Sequence, residues 1–264
     1  MKEKQINKPR ILIVDIENSP NLAYIWQLKT EYVNETMVAL PWYMLCWCAK
    51  WLDEKPVMSG ALIDFPKEYK KDPRSEKKIL EKLWKLLDEA DIVIGHNVDG
   101  FDCKKINACF IMNNILPPSP YKTIDTLKIA KKHFMFTSNK LNSLVKYFKI
   151  GAKVETGGFK LWEECMQGNK RAWRRMVIYC KNDVILSEKV YKKLLPYITN
   201  HPNMGVYEDG IKATCPKCHS EKLVKEGFAY TNNAKYQQYS CSNCGGWSRG
   251  KKNLRDNKVK NTNA

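Results

Sequence analysis

The sequence predicts an α/β protein built on a mixed sheet, followed by a small cysteine-rich module. Three observations carry this reading. Ile11 to Ile16 (ILIVDI) is an apolar run of the kind expected from a central strand covered on both faces. From about Arg74 onward the hydrophobic period changes to that of helices, interrupted by short apolar strand-like runs. Near the C-terminal end, Cys215, Cys218, Cys241 and Cys244 form two CxxC pairs.

Taken in order, the first strand ends in Asp15, Glu17 and Asn18, followed by the turn signal Ser19-Pro20. Residues 21 to 38 show no clear period and read as an irregular excursion. Trp42 to Ala49 and Val57 to Phe65 read as two strands, joined as a hairpin by the polar stretch from Lys50 to Pro56. Between Arg74 and Ala90, residues Ile79, Leu80, Leu83, Leu86, Leu87 and Ala90 line one face of a helix. Asp91 to Gly95 is a short strand, His96 to Asp99 a loop, and Asp102 to Asn113 a helix stopped by Pro117-Pro118. Thr123 to Asp125 is a brief strand, with Asp125 the expected cap of a helix running through about Phe136. Another helix covers Lys140 to Phe148, Lys153 to Phe159 is a glycine-containing loop, and a long helix or pair spans Lys170 to Tyr197. Three strands followed by helix–strand–helix–strand–helix is an α/β order with a mixed sheet. The expected partition is a domain at 1–202, a linker at 203–211, the cysteine module at 212–250 and a basic, disordered tail at 251–264.

Composition narrows the function classes. The chain has 264 residues and 44% hydrophobic content, enough for a core without disulfide staples. No apolar run approaches the roughly 20 residues of a membrane-spanning helix, and the polar start lacks a signal-peptide core. The expectation is a cytoplasmic protein with no membrane partner. With 45 Lys+Arg against 28 Asp+Glu the formal charge is +17, which draws polyanions and points to nucleic acid as partner. Cys46, Cys48, Cys103, Cys109, Cys165 and Cys180 lie in apolar segments and read as core packers.

Several acids break the apolar pattern. Asp15 and Glu17 stand at i and i+2 of a strand end, so both side chains project on one face. Asp102 follows the loop GHNVDGF at the start of a helix. Tyr179 and Asp183 are i and i+4 on the last long helix, at the border of the stripe Trp173, Met176, Cys180 and Val184. Each has an ordinary structural reading alone: a solvated strand end, a helix cap, an exposed face.

The order of these motifs resembles the DEDD exonuclease superfamily, in the subgroup with tyrosine in the third motif. DIENSPNLAYIW, WCAKWLDEK, IGHNVDGFD, IDTLKIAKKH and YCKNDVILSEKVY are similar to stand-alone exonuclease-like proteins of phages and to family-B polymerase proofreading domains, over about residues 10 to 202. The resemblance implies a ribonuclease H-like fold, with a mixed five-stranded sheet flanked by helices, and a 3′–5′ exonuclease that releases 5′-mononucleotides. It implies two Mg²⁺ or Mn²⁺ ions: one held by Asp15, Glu17 and Asp183, the second bridged by Asp15 and supported by Asp102, with Tyr179 orienting the attacking water. The implied partners are single-stranded DNA or DNA 3′ ends and a separate polymerase or other replication or recombination protein, and the implied setting includes a phage protein in its host's cytoplasm. A non-catalytic nucleic-acid-binding adaptor and a structure-specific endonuclease on the same scaffold are the alternatives. His96 reads as a structural hydrogen-bonder, His133 and His201 as surface residues, and Asn97 as a candidate substrate contact.

The doubled CxxC, with knuckles at Cys215/Cys218 and Cys241/Cys244, predicts one structural Zn²⁺, because thiolates suit tetrahedral zinc. Lys222 to Thr231 and Lys235 to Ser240 read as two strands around Asn232-Asn233, which describes a zinc ribbon similar to those of some insertion-sequence transposases. Phe228, Tyr230, Tyr236, Tyr239 and Trp247 lie among basic residues there. Tyr230 and Tyr236, with Lys251 and Lys252 in the tail, are candidate nucleic-acid contacts; filling the small core or docking a protein are the other readings.

Overall fold

The computed structural model describes residues 9–207 and 213–255. The chain divides into two compact units, one spanning Arg10–Val190 and a second that begins at Tyr191. The division falls inside the last long helix, earlier than the expected boundary at 202.

The first unit opens with β1 (Ile11–Asn18), followed by β2 (Leu22–Ala23), β3 (Val38–Leu40), β4 (Met44–Trp51) and β5 (Met58–Ala61). The excursion at 21 to 38 is thus not wholly irregular: β2 and β3 form a short antiparallel pair. The strand expected over Val57 to Phe65 stops at Ala61. Asp64 there accepts from the Ala61 amide at 2.9 Å and bends the chain into a 3₁₀ turn. Pro66 then starts α1 (Pro66–Lys71), a position that suits its missing N–H. Next come α2 (Lys77–Glu89), β6 (Ile92–Gly95), α3 (Asp102–Met112), β7 (Lys122–Asp125), α4 (Thr126–His133), α5 (Leu141–Phe148), α6 (Lys160–Met166) and α7 (Lys170–Leu194). The helix expected through Phe136 ends at His133, α6 was not foreseen, and the last segment is a single helix finished by a 3₁₀ turn.

The sheet has five strands in the order β5-β4-β1-β6-β7, with β4 antiparallel and β6 parallel to β1, so it is mixed as expected. Its two faces can be told apart from one alternation in β4. Trp47 donates from Nε1 to the Ile79 carbonyl of α2 at 2.8 Å, whereas its neighbour Cys48 reaches the Val177 carbonyl of α7 at 3.8 Å. Successive strand residues point to opposite faces, so α2 and α7 cover opposite faces. Asp15 pairs with Cys48 and Glu17 with Cys46, which puts both acids on the α7 face. Lys50 shares that face and forms a buried ion pair with Glu188 of α7. The α7 face of the sheet is therefore where polar chemistry is collected; the α2 face holds Leu12, Val14, Ile16 and Trp47, all buried.

In the second unit a three-stranded antiparallel sheet runs in the order β10-β9-β8, with β8 (Leu223–Tyr230), β9 (Lys235–Cys241) and β10 (Trp247–Arg249). Two of these strands were expected; β10 is additional. The expected linker begins as ordered chain: Met204 is buried and its amide bonds the Pro216 carbonyl at 2.8 Å. Residues 208–211 of that linker lie outside the described residues. In the expected disordered tail, Leu254 N–H donates to the Lys235 carbonyl at 2.7 Å, so the chain to Arg255 lies against β9; residues 256–264 lie outside the described residues. Among the described residues no helix is long and apolar enough to cross a membrane.

Candidate active site and cysteine cluster

Three elements bring the acids together. The β1 ladder to β6 extends from Ile11 to Ile13; further along β1, the Ile16 amide donates to Asp102 Oδ1 at 3.2 Å. Asp102 is the first residue of α3, is 3% exposed, and makes this bond across to β1. From the other side α7 lays Cys180 against β1, its thiol 3.5 Å from the Asp15 carbonyl. Asp183, three residues on, is thereby carried to the same place and is 4% exposed.

The electrostatics record that convergence. Burial, then the Asp183 charge, push the Asp15 carboxyl up to about 7. Burial followed by Asp15 and Asp183 raises Glu17 well above the usual carboxylate range. Burial and then Asp15 do the same to Asp102. Asp183 is raised by burial against the opposing pull of Lys153, whose ammonium forms an ion pair with it. Lys153 also lies 3.3 Å from the Tyr179 hydroxyl. Burial, with Asp183 next, raises Tyr179, so its hydroxyl keeps its proton through the physiological range. Asp15 Oδ2 and Asp183 Oδ1 are buried without a hydrogen-bond partner among the described residues.

Four carboxylates that raise one another, Asp102 and Asp183 buried and Asp15 and Glu17 half-buried, with two orphaned oxygens, fit hard divalent cations, which take carboxylate oxygens and offset the mutual repulsion. Among the described residues these oxygens do not close into a set within 4.8 Å of one another, as the cysteines do. Lys153, which joins this group through Asp183 and Tyr179, was not among the residues expected from the sequence.

Asn97 lies in the β6–α3 loop with φ of 72°, its amide bonded to Asp125 Oδ1 at 3.0 Å. Its side chain lies over Gly100, where an added Cβ would come within 2.5 Å of Asn97 Oδ1. Asp125 caps α4 as expected, accepting from the Leu127 and Lys128 amides, and it also accepts from Asp99 N at 3.3 Å. His96 Nδ1 and Thr126 Oγ1 share a hydrogen bond at 2.9 Å, and the same hydroxyl reaches the Gly95 carbonyl at 3.1 Å. Burial depresses His96 to about 4, in keeping with a structural role. His201 is not the surface residue expected: it is half-buried and 2.8 Å from the Tyr191 hydroxyl. His133 is half-buried as well.

In the second unit, Cys215 and Cys244 sulfurs are 3.7 Å apart, and those of Cys218 and Cys241 3.6 Å. A disulfide needs about 2 Å, whereas sulfurs about 2.3 Å from a tetrahedral zinc sit roughly 3.8 Å from each other. All four ligand atoms fall within 4.8 Å, so the set fits one zinc. The two knuckles share a geometry: His219 N–H donates to the Cys215 carbonyl and Gly245 N–H to the Cys241 carbonyl, both in the left-handed region. His219 is thus a turn residue at the place Gly245 takes in the other knuckle. At Cys241, burial pushes up but the Cys244 and Asn243 amides outweigh it and bring the thiol to about 7, whereas burial raises Cys215 and Cys244.

Of the candidate contacts on this unit, Tyr230 is 70% exposed, while Tyr236 is half-buried beneath Arg249, 4.2 Å from its ring centroid. Phe228 and Trp247 are exposed, Tyr239 is half-buried, and Lys251 and Lys252 are exposed.

Residues 57–195, more than half of the chain, match the family model described as RNase_H superfamily. Protein NEN3 of Arabidopsis thaliana is 35% identical over 75 residues, which are 28% of this chain and 15% of NEN3. The family B DNA polymerase from the hyperthermophilic archaeon Pyrobaculum calidifontis superposes with a TM-score of 0.52 at 14% identity, over 72% of this chain and 25% of the polymerase. That likeness is one of fold, and the chain spans only a small part of the length of either protein.

Proposed function

The chain belongs to the RNase H superfamily, and from that premise we propose that it is a metal-dependent 3′–5′ exonuclease that releases 5′-mononucleotides, with DNA the favoured substrate. The observation that carries this is the convergence of Asp15, Glu17, Asp102 and Asp183 beside Tyr179, two of the acids holding orphaned buried oxygens. Asp15, Glu17 and Asp183 are assigned to one Mg²⁺ or Mn²⁺, and Asp15 with Asp102 to a second. When bound, such a pair supplies a nucleophile at neutral pH and stabilises the attacking and leaving oxygens of a phosphodiester.

The chain's own groups then have separate tasks. Tyr179, kept protonated by burial and the neighbouring acids, holds a water by hydrogen bonding and does not serve as a base. Lys153, within reach of Tyr179 and paired with Asp183, fixes both and offsets negative charge where the phosphate enters. The buried ion pair between Lys50 and Glu188 fixes α7 against the sheet, so Tyr179 and Asp183, one turn apart on that helix, are held beside β1. The cysteine module, folded on zinc, adds nucleic-acid contacts through Tyr230, Tyr236, Lys251 and Lys252. The fitting partners are single-stranded DNA or DNA 3′ ends.

The test uses 3′- and 5′-labelled single strands with Mg²⁺ or Mn²⁺, comparing wild type with Asp15→Ala and Asp183→Ala. Stepwise shortening of the 5′-labelled strand, abolished in both variants, is expected. A folded wild type that cleaves nothing would remove the enzymatic reading in favour of a binding protein, and internal cuts in a closed circle would make it an endonuclease.

A further inference from the structure

Between Asp125 and Glu155 the sequence holds seven lysines and no aspartate or glutamate. In the fold this stretch is α4, α5 and the segments that follow them. Lys128 is taken up by Asp99 at 2.7 Å, and Lys153 by Asp183. Lys131, Lys132, Lys140, Lys146 and Lys149 are all solvent-exposed, whatever partners they have within the fold.

The helices meet through rings. Phe136 stacks on Phe134 with centroids 5.1 Å apart and on Tyr147 at 5.5 Å, with Phe148 edge-on at 5.8 Å. Phe134 and Phe136 follow α4 directly and Tyr147 is near the end of α5, so this stack joins the C-terminal ends of the two helices, where Lys131, Lys132 and Lys146 are found. Met135, between the two stacked phenylalanines, is fully exposed and Tyr147 is 46% exposed.

Basic residues in the last turns of α4 and α5 also complement their helix dipoles. That accounts for a lysine or two at each helix end. It does not account for the absence of acids along the loops as well, nor for apolar side chains left open among the lysines. Excess positive charge beside exposed rings is the arrangement that takes phosphates and bases of an unpaired strand. In sequence the stretch also runs up to Lys153, which pairs with Asp183 in the cluster to which the exonuclease reading assigns the 3′ end.

The geometry points to this α4–α5 face as a strand-holding track: Lys131, Lys132 and Lys146 contact phosphates upstream of the scissile bond, and Tyr147 and Met135 pack against bases. The inference rests on the exonuclease reading for its direction, not for its chemistry. An anionic membrane surface, which also favours lysines beside apolar side chains, is the occupant it has to defeat.

The test uses the full chain with Lys131, Lys132 and Lys146 all changed to Gln, and a companion with all three changed to Arg. Binding of a labelled dT strand of roughly 20 nucleotides is measured without Mg²⁺ or Mn²⁺ across a salt series. The Gln variant is expected to bind about tenfold more weakly, with the slope of log affinity against log salt reduced by about 2, and the Arg variant to match wild type. Hydrolysis of a strand of roughly three nucleotides is expected to be unchanged in kcat/KM. Unchanged binding of the long strand in the Gln variant overturns the track, as does equal loss on long and short strands. Lysine-dependent binding to phosphatidylserine vesicles without lysine-dependent binding to dT assigns the face to a membrane and overturns it too. If the wild type cleaves nothing yet its binding depends on these lysines, the exonuclease reading fails while the track stands.

Discussion

Asp15 illustrates how a single residue ties stability to function. Its carboxyl is raised to about 7 by burial and by Asp183, against about 3.9 in an unfolded chain. Between those values the folded state binds the extra proton, so the metal-free protein loses stability as pH rises through that window. Asp15→Asn removes a group that resists ionising, so the variant is expected to be more stable than wild type at pH 8 and equal to it near pH 4. Urea denaturation of the metal-free proteins at both values checks this; equal stability at pH 8 would show that the acids do not repel. The same shift means that metal displaces protons, so affinity for Mg²⁺ rises with pH up to neutrality. Tyr179→Phe should leave folding intact and, by loosening the water it positions, lower kcat by about a hundredfold, measured on a labelled strand. The acids and the tyrosine were legible in the sequence because each sits at a fixed place on a regular element. Lys153 was not, since it lies in the irregular GAKVETGG stretch, where no period says which way a side chain points.

At the scale of elements, the β6–α3 loop is positioned by a residue outside it. Asp125, 4% exposed, accepts from the amides of Asn97, Asp99, Leu127 and Lys128, tying the loop before Asp102 to the start of α4. Its cap role was readable from Asp125-Thr126-Leu127; its second role was not, because the loop partners are distant in sequence. Asp125→Ala leaves these amides without their acceptor and is expected to destabilise the protein by about 2–4 kcal/mol. Faster hydrogen exchange at residues 97–101 should accompany it, whereas loss confined to the α4 amides would reduce Asp125 to a cap. The long elements α2 and α7 follow their periodic stripes closely. Short ones escaped: α6 has seven residues, lies between Gly157-Gly158 and Gly168, and buries only Leu161 and Cys165. The chain from Leu62 was expected to stay extended, but Asp64 bonded back to Ala61 and ended β5.

For the whole molecule, the +17 charge acquires a layout: acids gathered on the α7 face of the sheet, and an acid-free stretch over α4 and α5. The division between units inside α7 was not legible in the sequence, because the helical pattern runs unbroken past Val190. The cysteine unit makes the separate folding of parts testable. Its β8 and β9 residues are exposed or half-buried except Cys241, so its strands bury little apolar surface, and metal must supply much of what holds it together. A zinc-selective chelator, with Mg²⁺ held constant, is therefore expected to abolish hydrogen-exchange protection in β8, β9 and β10 while leaving β1 and α7 protected. Cys218→Ser should do the same without chelator. If protection in β8 to β10 survives zinc removal, the ribbon folds on its own core and the cysteines need another explanation. If binding of single strands survives while the ribbon melts, its aromatic residues serve packing or protein docking, and the grip on nucleic acid belongs to the α/β unit alone.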